Sequence, residues 1–370
     1  VYVVQQKERL AVRKVNRLND SLKLIVQPID EEAHLALYQL GFQKVPIVPQ
    51  LLYCKIDETQ VSELFLKIGH YLPEERQILS RFILTRSSLD SKTFLVEFLN
   101  AQSLRELTLL IEHTWFLQVL TQQGLFFNFQ PIVHLASKRV VAHECLARAQ
   151  GTKGEEFSGQ QLIDAALQMH MTHEFDDLAR SACLDALGKV CARLDGAETK
   201  PTFFINVLPN AIAQNPNSLE KNFQQVLDLG LRPEQIVFEL TEVEALGDYP
   251  ELPRLIQQIR EWGFGLALDD LGSNVSIDHY CTAFRPDVIK LDRRLIHECS
   301  RYVLKQVMVK SLLQFAHELG IIVLAEGLEL PEDIQFCQDI GVDLGQGFGL
   351  GMPKLAPWDK SPQLKQRIAC

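Results

Sequence analysis

Long apolar runs are missing from this chain. No stretch reaches the roughly 18 residues that a membrane-spanning helix needs, so no span is expected. No signal-peptide pattern opens the sequence, which reads as cytoplasmic. Its eight cysteines include no C-x-x-C pair and most fall within apolar or helical patterns. Buried free thiols in a reducing compartment are therefore expected. Basic charge is scarce too: 37 Lys and Arg against 47 Asp and Glu leave a net charge of -10. That argues against non-specific binding to duplex nucleic acid or anionic lipid. It leaves room for a small phosphorylated ligand, because a bound metal reverses the local potential. Internal repeats and low-complexity tracts are absent as well.

What the chain does have is length and apolar content. At 370 residues and 46% hydrophobic, it can form a large barrel and a smaller second unit. From about residue 125, β-like runs ("LFFNFQPIVHL", "KRVVAHECLAR", "TFFINVL", "QIVFELTE", "FGLALDD", "DVIKLD", "IIVLAEG", "DLGQGF") alternate with helix-length amphipathic stretches. Those stretches include Gln161–Leu194, Pro250–Trp262, Arg301–Leu319 and Pro331–Ile340. Strand–helix alternation predicts a parallel sheet, and about eight strands in about 240 residues suit a TIM-like (β/α)8 barrel. Only "AS" separates the first two runs, too little for a helical crossover. They are expected to pair as an antiparallel hairpin, giving the barrel an antiparallel first strand.

Residues 1–100 read as a small α/β unit, with strand-like "LKLIVQP", "KVPIVPQLLYCKI", "RFILTR" and "TFLVEFL" and a helix over Thr59–Tyr71. Residues 101–124 read as a connection, mainly one helix over Ser103–Leu120. The barrel is expected over 125–360, with a tail at 361–370.

Every predicted barrel strand after the first carries a polar residue at or near its C-terminal end. These are Glu144, Asn206, Glu239, Asp269 with Asp270, Lys290, Glu326 and Gln346. One such residue is ordinarily a solvated turn; seven strands doing it together point to the C-terminal rim where barrel active sites gather. In "GFGLALDDLGSNVS", Asp269 shares a face with Gly265 and Ala267, and Asp270 joins it only if the strand ends there and the chain turns. Two adjacent carboxylates need a cation between them. An oxygen-rich set without His or Cys suits Mg²⁺ or Mn²⁺ rather than zinc. The Asp269–Asp270 pair could serve two ions about 3.5–4 Å apart, the spacing used in phosphodiester hydrolysis. Lys290 and Glu326 would stand beside them, positioning water or moving a proton.

These residues carry a resemblance. "FQPIV", "ECLAR", "FFINV", "FELTE", "LDDLGS", "IKLD", "LAEGLE" and "GQGFGLGMP", in this order over roughly Leu104–Lys360, resemble the EAL family of bacterial cyclic di-GMP phosphodiesterases. The resemblance implies that Glu144, Asn206, Glu239 and Asp269 ligate one Mg²⁺ or Mn²⁺, and Asp269 and Asp270 a second. It implies a catalytic-water network at Lys290 and Glu326, with Gln346 close by and Glu242 supporting the catalytic loop. It places Gln130, Leu146 and Arg148 against the dinucleotide, Arg148 through a phosphate. Asp292, Glu329, Gly347 and Pro353 fall on the substrate side, Glu329 as a rim acid. The implied reaction yields linear pGpG, and the implied assembly is a homodimer. The alternatives are a receptor that binds cyclic di-GMP without hydrolysing it and signals to a partner protein, and a scaffold that binds neither ligand nor metal. No G-G-D-E-F stretch, the mark of synthesis of the dinucleotide, is present.

Two departures stand out. The signature reads Glu-Cys-Leu rather than Glu-Ala-Leu; strand parity turns Cys145 away from Glu144, so the change is expected to be harmless. The loop after the aspartates reads Leu271-Gly272-Ser273-Asn274-Val275-Ser276-Ile277 where the family favours F-G-T-G-Y-S-S, losing two aromatics. Asn274 in place of a glycine tolerates positive φ. Three other features read as structural. His170 and His173 lie on a helix outside the barrel with no third ligand in the sequence. The glycines of "GQGFGLG" do not follow the order of a phosphate loop. His143 is expected to face the helices and pack there.

Overall fold

The computed structural model describes residues 21–57, 61–152, 154–193, 201–208, 211–212, 217–241, 252–271 and 277–358. The chain divides into two compact units between Thr114 and Trp115.

The first unit is a five-stranded sheet. Its strands are β1 (Leu22–Gln27), β2 (Gln43–Val45), β3 (Val48–Ile56), β4 (Arg81–Thr85) and β5 (Gln102–Ser103). The order is β2-β3-β1-β4-β5 with antiparallel neighbours throughout. Alternation along the central β1 sends Leu24 and Val26 to a core shared with Leu37, Phe65 and Ile68 of two helices. Ile25 goes to the other face, with Ile83 and Phe94. Both faces are covered, which explains why Leu24, Ile25 and Val26 are apolar without alternation.

The stretch "TFLVEFL", expected as a strand, is the helix Lys92–Phe98. Ser91 caps it by accepting from the Phe94 amide. Phe94 is buried and Val96 is 61% exposed, a helical rather than a strand alternation. The single helix expected over Ser103–Leu120 is two, Leu104–Glu112 and Thr114–Gln122, broken at His113. The apolar face of the first, Leu104 and Leu107, belongs to the first unit's core. Phe116 and Val119 of the second pack with Ala149 and Leu162.

In the second unit, β6 (Leu125–His134) and β7 (Arg139–Gln150) form the expected antiparallel hairpin. Parallel strands β9 (Thr202–Val207), β10 (Ile236–Leu240), β11 (Gly265–Leu271), β12 (Val288–Leu291), β13 (Ile322–Ala325) and β14 (Leu344–Gly345) follow; the two-residue β8 (Glu156–Phe157) only extends β7. β6 pairs with β14 and with β7, so eight strands close into a TIM-like barrel. The amphipathic stretch Gln161–Leu194 is also two helices, Gly159–Gln168 and Thr172–Arg193, separated where His170 takes φ +54°.

A large apolar shell, with Phe203, Ile205, Phe238, Leu266, Leu268 and Ile289, packs the outer sheet face against the helices. Inside, Ile132, Ala142, Phe204, Val237, Ala267, Val288, Leu324 and Leu344 form a separate cluster, one residue from each barrel strand. Two residues further toward the C-terminal rim, the same face offers the site. Among the described residues, no helix is long and apolar enough to cross a membrane. All seven described cysteines are free thiols.

Candidate functional site

Strand periodicity builds the site. Two positions above the inner apolar layer stand Glu144, Asn206, Glu239, Asp269, Lys290, Glu326 and Gln346. On the antiparallel β6 the count runs backward from Ile132 to Gln130, which pairs in register with Glu144. All eight strands therefore add one polar side chain to a single layer floored by apolar ones. The residue types alone pointed to seven of the eight. Gln130 entered only through the resemblance, although the predicted hairpin and its register held the same information.

Lys290 is the hub. Its side chain is 1% exposed, and its ammonium lies 2.6 Å from Glu326 Oε1, 3.3 Å from Asp269 Oδ1 and 4.0 Å from Glu144 Oε2. It also donates to Glu239 Oε1. Asn206 Nδ2 donates to Glu144 Oε1 at 3.1 Å, and Gln346 Nε2 donates to Glu144 Oε2 at 2.5 Å. Carboxylate oxygens of Glu239, Asp269 and Glu326 lie within 4.8 Å of one another, the one such acidic cluster among the described residues. Glu326 thus belongs to the acid cluster itself as well as to the surroundings of Lys290.

The aspartate pair is arranged differently from the expectation. The strand does not end before Asp270 but continues to Leu271. Its pairing with β12 shifts between Leu268 and Leu271: Leu268 opposes Ile289, and Leu271 opposes Leu291. Residues 269 and 270 thus stand opposite Lys290 alone, a β-bulge, and such bulges re-aim side chains beside active sites. The side chain of Asp270 lies outside the described residues, as do Glu242 and loop residues 272–276.

The electrostatics follow from four carboxylates around one ammonium in a closed space. Burial pushes the Glu239 carboxyl well above the usual range, Lys290 pulls it back, and the charges of Asp269, Glu144 and Glu326 push it up again. Burial, opposed by Lys290 and reinforced by Asp269 and Glu144, lifts Glu326 to about 8, although its side chain keeps 20% exposure. Burial works against the charge of Lys290, yet the surrounding carboxylates outweigh it and hold the ammonium above its ordinary value.

This donor set fits a hard divalent cation. It is all oxygen, it is more negative than one ammonium can balance, and the buried Glu239 Oε2 has no hydrogen-bond partner. A cation competes with the protons that these raised carboxyls favour, Glu326 foremost, so its affinity is coupled to pH. The sign follows from the raised values: the protonated, cation-free arrangement is favourable below the ordinary carboxyl range and is lost as pH rises through about 8. Mn²⁺ binding should therefore strengthen between pH 6 and 8, by up to about tenfold per pH unit for each proton displaced. Calorimetry in buffers of different ionisation enthalpy counts those protons; a pH-independent affinity without proton release would refute the coupling.

The residues that the resemblance puts on the substrate side lie as follows. Leu146 and Arg148 continue the Glu144 face of β7, and the half-buried Arg148 donates to the Ala147 carbonyl at 2.8 Å. Gln130 Nε2 reaches the Gly351 carbonyl at 3.5 Å. A Cβ on Gly347 would stand 2.3 Å from the Leu328 backbone, so glycine there lets the chain after Gln346 press against the loop after Glu326. Pro353 is half-buried beside Lys354, which bridges to Phe129. Two acids are engaged locally. Asp292 caps the turn Arg293–Ile296 and pairs with Arg294, and Glu329 pairs with Arg293 at 3.1 Å.

Cys145 is buried in the outer shell with Cys183, on the opposite face of β7 from Glu144. His143 is buried there too, beside Phe203, and accepts from the Trp358 amide at 2.9 Å. Burial lowers it to about 4, so it is neutral. His170 is exposed, and His173 Nε2 lies 4.0 Å from Asp177 Oδ2.

A family model described as EAL domain matches residues 113–353. The chain is similar to the blue light- and temperature-regulated antirepressor BluF of Escherichia coli (strain K12), 24% identical over 229 residues, 62% of this chain and 54% of that protein. It is also similar to the probable cyclic di-GMP phosphodiesterase PdeN of the same organism, 27% identical over 255 residues, 66% of this chain and 47% of that protein. The chain spans about half the length of these curated relatives. A crystal structure of a standalone EAL protein from Vibrio cholerae O395, in its c-di-GMP-bound form, resembles it with a TM-score of 0.57 at 26% identity, over 65% of this chain and 98% of that one.

Proposed function

The chain belongs to the EAL domain family, and on that premise we propose that it hydrolyses one 3′–5′ phosphodiester bond of cyclic di-GMP, giving linear pGpG. The observation that carries this reading is the set of four acids around Lys290, with the buried Glu239 Oε2 left without a partner. Glu144, Asn206, Glu239, Asp269 and Asp270 would hold two Mg²⁺ or Mn²⁺ ions. Five acids, counting Glu326, against one lysine leave four formal negative charges, the amount two divalent cations carry. Such ions neutralise charge on the phosphate oxygens and make water more acidic.

The chain's own groups do the rest. Arg148 binds a phosphate oxygen, and Gln130, Leu146, Gly347 and Pro353 line the dinucleotide's path, with Asp292 and Glu329 at its edge. Lys290 holds the Glu326 carboxylate at 2.6 Å, and Glu326, open by a fifth to the cleft, takes the proton of the attacking water. As the water oxygen bonds to phosphorus, the P–O3′ bond breaks. The departing 3′ oxygen takes up a proton, the one Glu326 received being returned through solvent, to become the 3′ hydroxyl of pGpG. Gln346 keeps Glu144 oriented, and Glu242, outside the described residues, would support the catalytic loop.

The protein would act in the cytoplasm as a homodimer. Val303, Leu304 and Val307, each more than half exposed on helix Val303–Glu318, supply an apolar face that supports the dimer. The first unit would regulate the barrel.

Purified chain incubated with cyclic di-GMP and Mg²⁺ or Mn²⁺ should yield pGpG, while a Ca²⁺ control and a chelator should not. Tight binding without product in any of these ions would move the chain to the second reading, a receptor that signals to a partner protein. That reading draws on the likeness to an antirepressor and on the altered residues 271–277.

A further inference from the structure

Behind the site lies a buried ionic pair that the reaction does not use. Asp176 and Arg180, on helix Thr172–Arg193, are 4% and 1% exposed and pair with one another. Arg180 also pairs with Asp177 and donates from Nε to Asn222 Oδ1 at 2.9 Å and from a terminal nitrogen to Ser218 Oγ at 3.0 Å. Ser218 and Asn222 lie in the first turns of helix Asn217–Asp228 and are buried as well. The other oxygen of Asp176, Oδ1, accepts the backbone amide of Leu208 at 2.9 Å.

Leu208 is the residue after β9, two positions past Asn206. Its amide lies beyond the last rung of the β7–β9 ladder, which pairs Cys145 with Ile205. On the other side its carbonyl accepts from Ala211 at 2.9 Å and Ile212 at 3.3 Å. The exit of β9 is therefore pinned at both backbone groups of one residue, and a side chain supplies the amide's partner.

We propose that Asp176 is a positioning residue for Asn206: by holding the Leu208 amide it sets where β9 ends, and so where the Asn206 amide stands against Glu144. Arg180 pairs with Asp176, holds it in place, and ties it to helix Asn217–Asp228. The inference rests on the reading that Asn206 and Glu144 hold a cation. Groups that orient ligands from behind affect metal affinity as well as stability, and that separates this role from one of packing alone.

Mn²⁺ is the probe, titrated calorimetrically into the full chain. Asp176→Leu, close in shape but without an acceptor, should weaken Mn²⁺ binding by about 10- to 100-fold. Asp176→Asn, which keeps an acceptor for Leu208 but not the charge, should keep most of the affinity while lowering the melting temperature. Amide exchange at Leu208 should quicken in the leucine variant and much less in the asparagine one. If Asp176→Leu does not fold, Asp176→Glu makes the same comparison, since it keeps the charge for Arg180 and moves the acceptor by one methylene. Parent-level affinity in a folded leucine or glutamate variant overturns the proposal, as does an asparagine variant as weak as the leucine one. A parent chain that binds no Mn²⁺ overturns the cation assignment itself, and this inference with it.

Discussion

Glu239→Gln should lower cyclic di-GMP turnover by about three orders of magnitude or more while leaving the barrel folded. Glu239 is completely buried, and its Oε1 already accepts from Lys290. An amide oxygen can accept the same hydrogen bond, so local packing is kept. What goes is the negative charge and the unpartnered Oε2 that a cation would use. Several kcal/mol of transition-state charge stabilisation depend on that cation, hence the size of the effect. Cation-free stability should hold or rise, because one of four mutually repelling carboxylates has been neutralised. Product formation with Mn²⁺, together with thermal unfolding in chelator, checks both halves. Turnover at the parent rate would show that Glu239 holds no ion the reaction needs. Asp269→Asn and Glu144→Ala should abolish turnover in the same way.

Lys290→Met should do the opposite to the fold. Removing the ammonium leaves Glu239, Glu326, Asp269 and Glu144 facing one another with no resident positive charge. Breaking a buried ion pair by removing one partner typically costs about 3–5 kcal/mol, and Lys290 is 1% exposed, so screening by water gives little relief. The loss should be largest at pH 8 in chelator. It should shrink toward pH 5, because Glu239 and Glu326, whose folded-state values are already raised and are held down only by the lysine, accept protons there. Mn²⁺ should restore more stability to this variant than to the parent, while turnover stays lost. Thermal unfolding at pH 5 and pH 8, with and without Mn²⁺, tests all of these. A variant as stable as the parent at pH 8 in chelator would mean that the carboxylates are relieved some other way.

The two variants separate what the acids do from what the lysine does. The acids make the site attractive to cations and unfavourable without them. The lysine makes the fold tolerable before a cation arrives. Both follow from charge crowding in a space that excludes water.

Much of this was legible in the residues. Period-two alternation carries a strand's inward face from Val237 to Glu239 and from Val288 to Lys290, and strand–helix alternation puts those strand ends on one rim. The two-residue gap between the first two barrel runs leaves no room for a crossover, which made the antiparallel start predictable. Elsewhere local pattern misled. "TFLVEFL" is rich in strand formers, yet a capping serine and the burial of Phe94 make it a helix. The helix breaks at His113 and around His170 have no proline or glycine to announce them.

The order of residues is enough for the inventory: which side chains face inward on each strand, that the acids and amides among them are oxygen donors, and that a single lysine stands among them. Alternation is a property of the backbone and needs no tertiary contact. How those side chains meet depends on the folded barrel. Barrel closure placed the Lys290 ammonium at the centre of the acids rather than beside them. A bulge, invisible in composition because it depends on pairing with β12, carried the strand through Asp270. A carboxylate 32 residues earlier in the chain tied down the exit of β9. Distances between elements are set by packing of the whole sheet, and no local pattern encodes them.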